Sequence, residues 1–179
     1  FEIRGKLEML SPAYDGEAWL IESTRTISFQ KWGNITSVIL EYSHDGVNYH
    51  SLEWDGANEG NPVVVNTPGT GPYPEVYNYD WVDIPDNRGT SATFKVINNN
   101  DSDVYDVSDD TFVIRGGFEW TNPNPAGEGW VVDDWHTLQW TTRGTIPLVH
   151  IIYSTNLGSN WKYITGEDYT EGSPPAGWP

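Results

Sequence analysis

The chain repeats itself at a spacing of 111 residues. "FEIRG" at residues 1–5 returns as "FVIRG" at residues 112–116, which gives the offset 112 − 1 = 111. Between residues 1–43 and 112–154, 15 of 43 pairs are identical, whereas ordinary composition would give roughly three. The identical pairs include Trp19 with Trp130, Gly33 with Gly144, and Tyr42 with Tyr153. The sequence therefore holds two copies of one unit, the second represented by its first half.

The size of the unit and its residue pattern predict the fold class. A unit of about 110 residues matches an immunoglobulin-like sandwich and far exceeds a solenoid or propeller-blade period. Short runs rich in Val, Ile, Thr and aromatic residues alternate with Gly, Pro, Asn and Asp, which is typical of strands joined by turns. The predicted strands of the first copy are "LEML", "RTISF", "TSVILEYS", "YHSLEW", "PVVVN", "YDWVDI", "ATFKVIN" and "TFVIR". We therefore predict an all-β chain of tandem immunoglobulin-like β-sandwiches, one complete and one truncated.

The repeat also predicts domain boundaries. Residues 1–5 are interpreted as the closing strand of a preceding copy, residues 6–115 as a complete domain, and residues 116–179 as the first half of a second domain. The residues predicted to take part in strand exchange or interdomain contact are Phe1, Ile3, Arg4, Phe112, Ile114 and Arg115. Two alternatives follow. The chain is an excerpt of a longer repeat protein, or it is a whole subunit whose first strand completes a neighbour's sandwich by strand addition.

The pattern "W…I.F…G.I..V.LEYS.DG..Y..L", followed by "Y.W..IPD", "A.FKV" and "V.D.SD.TFVI", resembles the tandem immunoglobulin-like repeats of very large bacterial surface proteins. Some of these proteins form surface layers, and others act as adhesins or stalks. The resemblance implies an extracellular chain at the cell surface that builds a layer or fibre and has no catalytic activity. The implied partners are copies of the chain itself, adjacent repeats, or cell-envelope polysaccharide. The alternative function is a carbohydrate-binding or adhesive module of a secreted protein.

Charge and motif content narrow the function classes. The formal net charge is −17, from 26 acidic and 9 basic residues, and such a surface repels phosphate backbones, so we expect no nucleic-acid partner. Cysteine is absent, which excludes disulfides and thiolate metal sites. No apolar run reaches membrane-spanning length. The sequence also lacks G-x-S-x-G and phosphate-binding glycine motifs, so we predict that the chain is not an enzyme.

The segment "NNNDSDVYDVSDD" at residues 98–110 is the densest acidic stretch. Its carboxylates are candidate calcium ligands, because calcium prefers six to eight hard oxygen ligands. These candidates are Asp101, Asp103, Asp106, Asp109 and Asp110. The spacing is not that of an EF-hand loop, and Asp and Ser also form ordinary turns. The alternative is a solvated turn that leads into the last strand.

Tryptophans divide into two groups by their position in the repeat. Trp19 and Trp130 are equivalent and are predicted to lie in the core. Four others have no aromatic counterpart and are candidate contacts for a sugar or a protein partner, because exposed aromatic rings stack on apolar faces. They are Trp32, Trp54, Trp120 and Trp135.

Two further short patterns are weaker. "SHDGVNY" and its counterpart "STNLGSNW" each place an Asp or Asn and a Gly at a predicted tight hairpin turn. Asn34 and Asn100 begin N-x-S/T patterns and are candidate N-glycosylation sites.

Overall fold

A computed structural model of the chain describes residues 3–52, 63–64, 74–123 and 129–164. These residues form strands and turns, and none of them lies in a helix, so the all-β prediction is confirmed. The described strands are β1 (Lys6–Met9), β2 (Glu17–Leu20), β3 (Arg25–Trp32), β4 (Ser37–Ser43), β5 (His50–Ser51), β6 (Val63–Val64), β7 (Glu75–Trp81), β8 (Gly89–Asn98), β9 (Asp101–Val107), β10 (Phe112–Arg115), β11 (Gly117–Asn122), β12 (Gln139–Arg143), β13 (Ile152–Tyr153) and β14 (Lys162–Tyr163).

The chain divides into two compact units, Phe1–Thr145 and Ile146–Pro179. The first unit contains β1 to β12, and the second contains the antiparallel pair β13 and β14. The predicted domain boundary after Arg115 stays a prediction. At that point a single residue, Gly116, connects β10 to β11.

The first copy of the repeat consists of two sheets that share one core. One sheet has the order β1-β3-β7, and the other has the order β2-β10-β8-β4-β5, with β6 paired to β4 and β9 paired to β8. Neighbouring strands are antiparallel, except that β10 runs parallel to β2. Along β3, alternate residues beginning with Ile27 are buried, as expected for a strand with one face on a core.

Aromatic side chains fill the space between the sheets. The Trp19 ring on β2 lies 4.9 Å from Phe112 and 5.2 Å from Phe94 on the same sheet, and 6.2 Å from Trp81 on the opposite sheet. Tyr42 on β4 also meets Trp81 at 4.7 Å. Such tilted ring pairs add packing energy to the burial of their apolar area. The prediction that Trp19 lies in the core is confirmed, since only 2% of its surface is exposed.

Each of the eight strands predicted for the first copy overlaps an observed strand, but two strands were missed. β2 was not recognised because its four residues, "EAWL", show little alternation. β9 lies in the acidic segment that was predicted to be a turn or calcium loop. Its Val104 is buried, and the strand pairs antiparallel with β8. A short turn at Asn99 and Asn100 precedes it, so the turn prediction was wrong for most of the segment.

The strand pairing of the first copy returns at the same spacing in the second. β11 pairs with β12 in the register of β1 with β3, shifted by 111 residues. The matching opposed pairs are Leu7 with Lys31 and Met9 with Phe29 in the first copy, and Phe118 with Thr142 and Trp120 with Trp140 in the second. The turn glycine after the second strand has a positive φ in both copies, 85° at Gly33 and 69° at Gly144. The sequence correspondence therefore extends to backbone pairing.

The buried Trp19 generates a stability prediction. Trp19→Ala should lower the free energy of unfolding by about 3–5 kcal/mol, because the deletion leaves a cavity among Phe94, Phe112 and Trp81. Urea denaturation followed by circular dichroism measures this change. Trp135→Ala is the matched control, since Trp135 is 99% exposed and its loss should change stability by less than about 0.5 kcal/mol. Equal losses in the two variants would contradict the assigned core.

Candidate functional site

The first described residues lie against β9. Ile3 is 84% exposed, whereas the Arg4 guanidinium binds the Asp103 carboxylate at 2.8 Å and lies 3.6 Å from Asp101. Phe1 is outside the described residues. Of the residues in this segment that were predicted to exchange strands, the structure therefore shows Ile3 as an exposed apolar side chain and Arg4 as an ion-paired side chain.

The equivalent strand of the first copy, β10, is an integral part of its sheet. Phe112 and Ile114 are buried, with 0% and 1% of their surfaces exposed, and β10 lies between β2 and β8. Arg115 ends the strand, and its carbonyl oxygen accepts the Ile21 amide at 3.0 Å. Residues 3–5, the described part of the equivalent "FEIRG" segment, are not in a strand, so the interpretation of residues 1–5 as a closing strand stays a prediction.

The turn at the end of β12 contacts two loops of the first copy, the loop after β2 and the loop after β7. We call residues 143–145 the joint loop. The Thr145 amide donates to Asp86 Oδ2 at 2.6 Å, the Gly144 amide donates to Glu22 Oε1 at 3.4 Å, and the Arg143 guanidinium donates to the Glu22 carbonyl at 3.1 Å. A Cβ on Gly144 would stand 2.7 Å from Ile21 Cδ1, so glycine allows both the positive φ and the close approach.

Electrostatics favour the contact of the joint loop with Asp86. Hydrogen bonds from the Thr145 hydroxyl and amide hold the pKa of Asp86 below its ordinary value, and the nearby Arg88 adds to this shift. Glu22, Asp86 and the joint loop were not predicted from the sequence. The glycine that recurs at Gly33 and Gly144 could have predicted the turn from the sequence, but it does not indicate which residues the turn contacts.

In each of the two predicted hairpin turns, an Asp or Asn side chain accepts a serine hydroxyl and at least one backbone amide. In the first, Asp45 Oδ1 accepts the Ser43 hydroxyl at 2.8 Å and the amides of Val47 at 2.9 Å and Asn48 at 2.8 Å. In the second, Asn156 Oδ1 accepts the Ser154 hydroxyl at 2.9 Å and the Asn160 amide at 2.9 Å. Hydrogen bonds from backbone amides hold the pKa of Asp45 well below its ordinary value, and the bond from the Asn48 amide has the largest effect. These side chains stabilise turns, as predicted.

The candidate calcium ligands are spread along β9 and the turn after it. Asp101 and Asp103 face Arg4, and Asp106 Oδ2 accepts the Met9 amide at 2.7 Å, which ties β9 to β1. Asp109 is exposed, and the Asp110 carbonyl accepts the Ser108 hydroxyl. Across the part of the chain that the structure describes, no three acidic or histidine side chains form a group that could hold a metal ion. The structure brings two of the five together, at a guanidinium.

The candidate contact tryptophans differ in exposure. Trp135 is 99% exposed and Trp120 is 42% exposed, whereas Trp32 is half-buried beneath the Lys6 ammonium, 4.3 Å from its ring. Trp54 is outside the described residues. Trp130, predicted to be a core residue like Trp19, is 41% exposed. That prediction was wrong because no described strand covers Trp130 as β8 and β10 cover Trp19, and its ring stacks instead on His136 at 4.5 Å.

A cluster of three aromatic side chains lies on one face of the β11–β12 pair. The cluster consists of Phe118, Trp120 and Trp140. Their ring centroids are 5.5 to 5.9 Å apart. An open cavity of about 400 Å³ beside them is lined by Thr121, Leu138, Gln139 and Trp140. Among the three rings, Trp120 alone was predicted from the sequence as a candidate contact.

Both candidate glycosylation sites are at the surface. Asn34 and Asn100 are exposed, and the Asn100 amide nitrogen lies 3.4 Å from the Thr36 hydroxyl. Within the described residues, no helix is long and apolar enough to cross a membrane.

The pKa of Asp86 generates a pH prediction for the joint loop. The folded-state pKa of Asp86 is lowered below the ordinary carboxyl value of 3.8. Its hydrogen bond to Thr145 therefore stabilises the fold at pH values above 3.8, and this stabilisation is lost as the pH falls through the lowered pKa. The protection of the Thr145 amide, measured by NMR as its exchange rate relative to the intrinsic rate at the same pH, should therefore fall at acidic pH. Asp86→Ala should remove the protection at every pH, whereas Asp109→Ala, at an exposed site, should not. Equal protection in all three proteins would argue against the contact.

The turn geometry generates a second prediction. Asp45→Ala should lower the thermal unfolding midpoint, because two backbone amides and a hydroxyl lose their acceptor. Asp45→Asn should retain most of the stability, since Asn156 supports the equivalent turn. Differential scanning calorimetry compares the three proteins. A similar midpoint for Asp45→Ala and the unmodified chain would refute the structural role.

Comparison of the chain with protein-family models, curated proteins and solved structures finds no match. The functional assignment therefore depends on the internal repeat and on the contacts described above.

Proposed function

We propose that this chain is a non-enzymatic structural module of an extracellular repeat protein, built from immunoglobulin-like sandwiches in tandem, that forms a layer or fibre at the cell surface. Its partners are copies of itself and adjacent repeats. The resemblance to repeats of large bacterial surface proteins supports this assignment. So does the two-sheet arrangement of the first copy, which has the aromatic core typical of sandwiches.

The main support for the proposal is the repeated strand register together with the short connection between the two copies. The strand register of β1 with β3 returns in β11 with β12 after 111 residues, and Gly116 alone separates β10 from β11. A connection this short restricts the swing that a flexible linker would allow. A series of copies joined in this way has a defined spacing, which suits a lattice or a fibre.

The joint loop supports the same function. Its hydrogen bonds from Thr145 to Asp86 and from Arg143 to Glu22 join the β11–β12 pair to the loops after β2 and β7 of the first copy. The net charge of −17 opposes close assembly of copies, and salt or divalent cations screen that repulsion. Assembly should therefore strengthen as ionic strength rises.

Electron microscopy of the purified full-length protein tests the proposal. We expect filaments or sheets with a regular repeat, more abundant at higher salt. Gly144→Ala should disorder the spacing, because its methyl group would meet Ile21 and the backbone there has a φ of 69°. Gly129→Ala is the matched control, since a Cβ there would meet no atom within 4 Å. Isolated particles at every salt concentration would overturn the assembly role.

A carbohydrate-binding module is the second candidate, favoured by the exposure of Trp120 and Trp135. Exposed indole rings can stack on sugar faces. Saturable quenching of tryptophan fluorescence by cell-envelope oligosaccharides, lost in Trp135→Ala or Trp120→Ala, would support it. Saturable binding by non-assembling protein would favour this candidate over the first.

A further inference from the structure

The contact between the joint loop and Glu22 has two sides, and each side has a counterpart in the other copy of the repeat. On one side, the Glu22 carboxylate accepts the Gly144 amide at 3.4 Å, and the Glu22 carbonyl oxygen accepts the Arg143 guanidinium at 3.1 Å. On the other side, the joint loop supplies a glycine amide and a cation. The counterpart of Glu22 lies in the second copy, and the counterpart of the joint loop lies in the first.

The second copy repeats the turn that holds Glu22. The residue 111 positions further on is Asp133, and we call residues 131–134 the acidic turn. Glu22 has a φ of 59° and Asp133 a φ of 69°, a left-handed conformation that is uncommon in residues other than glycine. The same backbone hydrogen bond closes residues 20–23 and residues 131–134, from the fourth amide to the first carbonyl, at 3.2 Å and 3.3 Å. An acidic residue therefore recurs in the same backbone turn.

The first copy repeats the backbone of the joint loop. Residues 32–34 are its counterpart at the spacing of 111 residues, and we call them the glycine loop. Gly33 has a φ of 85°, and Gly144, which stands at the same position, has a φ of 69°. Because both backbones turn in the same sense, the Gly33 amide is equivalent to the Gly144 amide that donates to Glu22.

The cation of the contact moves from one strand to the opposite strand between the copies. Lys6 lies directly opposite Trp32, and Gly117 lies directly opposite Arg143 in the same register. The Lys6 ammonium is 4.3 Å from the centre of the Trp32 ring, whereas a Cβ on Gly117 would stand 3.3 Å from the Arg143 Cβ. Lys6 also pairs with Glu8 at 2.7 Å, but its three N–H groups allow a further acceptor. Each strand pair thus has one positive charge at this position.

We propose that the glycine loop of one copy of this chain binds the acidic turn of another, so that chains associate head to tail. The Gly33 amide donates to the Asp133 carboxylate, and the Lys6 ammonium donates to the Asp133 carbonyl oxygen. These hydrogen bonds repeat those between the joint loop and Glu22. The bond to the carbonyl oxygen involves the backbone and does not depend on the shorter side chain of Asp133. The inference rests on the proposed assembly of copies and names two surfaces that meet in it.

The contact is heterologous, because a different surface of each chain takes part. A heterologous contact that does not close into a ring continues as a filament. In a chain with a net charge of −17, many carboxylates could attract Lys6. The specificity of the contact therefore comes from the matched backbones of the glycine loop and the acidic turn.

Exchange of the two charges tests the proposal on the whole chain. Sedimentation velocity should show concentration-dependent association of the unmodified chain. Lys6→Glu and Asp133→Lys should each weaken it by about tenfold or more, because each places like charges in the contact. A mixture of the two variants should recover association, since each contact then joins opposite charges. Asp109→Lys is the matched control, because it changes the net charge as Asp133→Lys does but lies outside the contact.

Circular dichroism checks that each variant is folded. Asp133→Asn suits the same left-handed backbone, and it should also weaken association if Asp133→Lys does not fold.

NMR identifies the surfaces that meet. When an unlabelled Lys6→Glu chain is added to an isotope-labelled Asp133→Lys chain, the Gly33 amide resonance of the labelled chain should shift saturably. The reason is that the added chain carries an unmodified acidic turn. A shift at Gly33, together with losses in the single variants and recovery in the mixture, would support the proposal.

Three results would overturn the contact: an unmodified chain that stays monomeric at every concentration, association that the variants leave unchanged, or recovery without a shift at Gly33. Regular arrays that persist in both charge variants would also overturn it while leaving the assembly role in place. Pairwise association without arrays would contradict the assembly role alone, so the two failures are distinguishable.

Discussion

Aromatic packing across two sheets is the interaction on which the rest of the first copy depends. Trp81 on one sheet meets Trp19 and Tyr42 on the other, so the sheets share one apolar interior. Burial of large rings provides much of the driving force in such a core, because each ring removes a large apolar area from water. Glu22 and Asp86 lie in surface loops that come after β2 and β7 in the chain. The aromatic core fixes the positions of both strands.

The strand pattern could be predicted from the sequence to the extent that alternation and turn residues revealed it. β3 and β8 were predicted because apolar residues recur at every second position. β9 was missed because its acidic residues resemble a turn, although Asp106 binds the Met9 amide from within a strand. Lys31 was also unpredictable as a core residue. It is fully buried because its ammonium donates to the Ile35 carbonyl at 2.7 Å and pairs with Glu75, which offsets the cost of desolvation.

The candidate site could be predicted only in part, because side-chain exposure depends on neighbours that are distant in sequence. Exposure of Trp120 and Trp135 was predicted from their lack of aromatic counterparts. Trp130 shares its position with Trp19, yet its surroundings differ, since burial comes from covering strands and not from the residue itself. The contact of Thr145 with Asp86 joins residues 59 apart, and no local pattern encodes a pairing over that separation. Identity at a repeat position therefore indicates conformation more reliably than environment.

The parallel pairing of β10 with β2 has a mechanical consequence. The two strands are aligned over four residue pairs, from Phe112 opposite Glu17 to Arg115 opposite Leu20. When tension pulls the start of β2 and the end of β10 apart, the force acts along the shared strand axis. All the hydrogen bonds of the pair are then loaded together in shear, whereas an antiparallel hairpin pulled from its open end unzips one bond at a time. This geometry should make the first copy resistant to stretching.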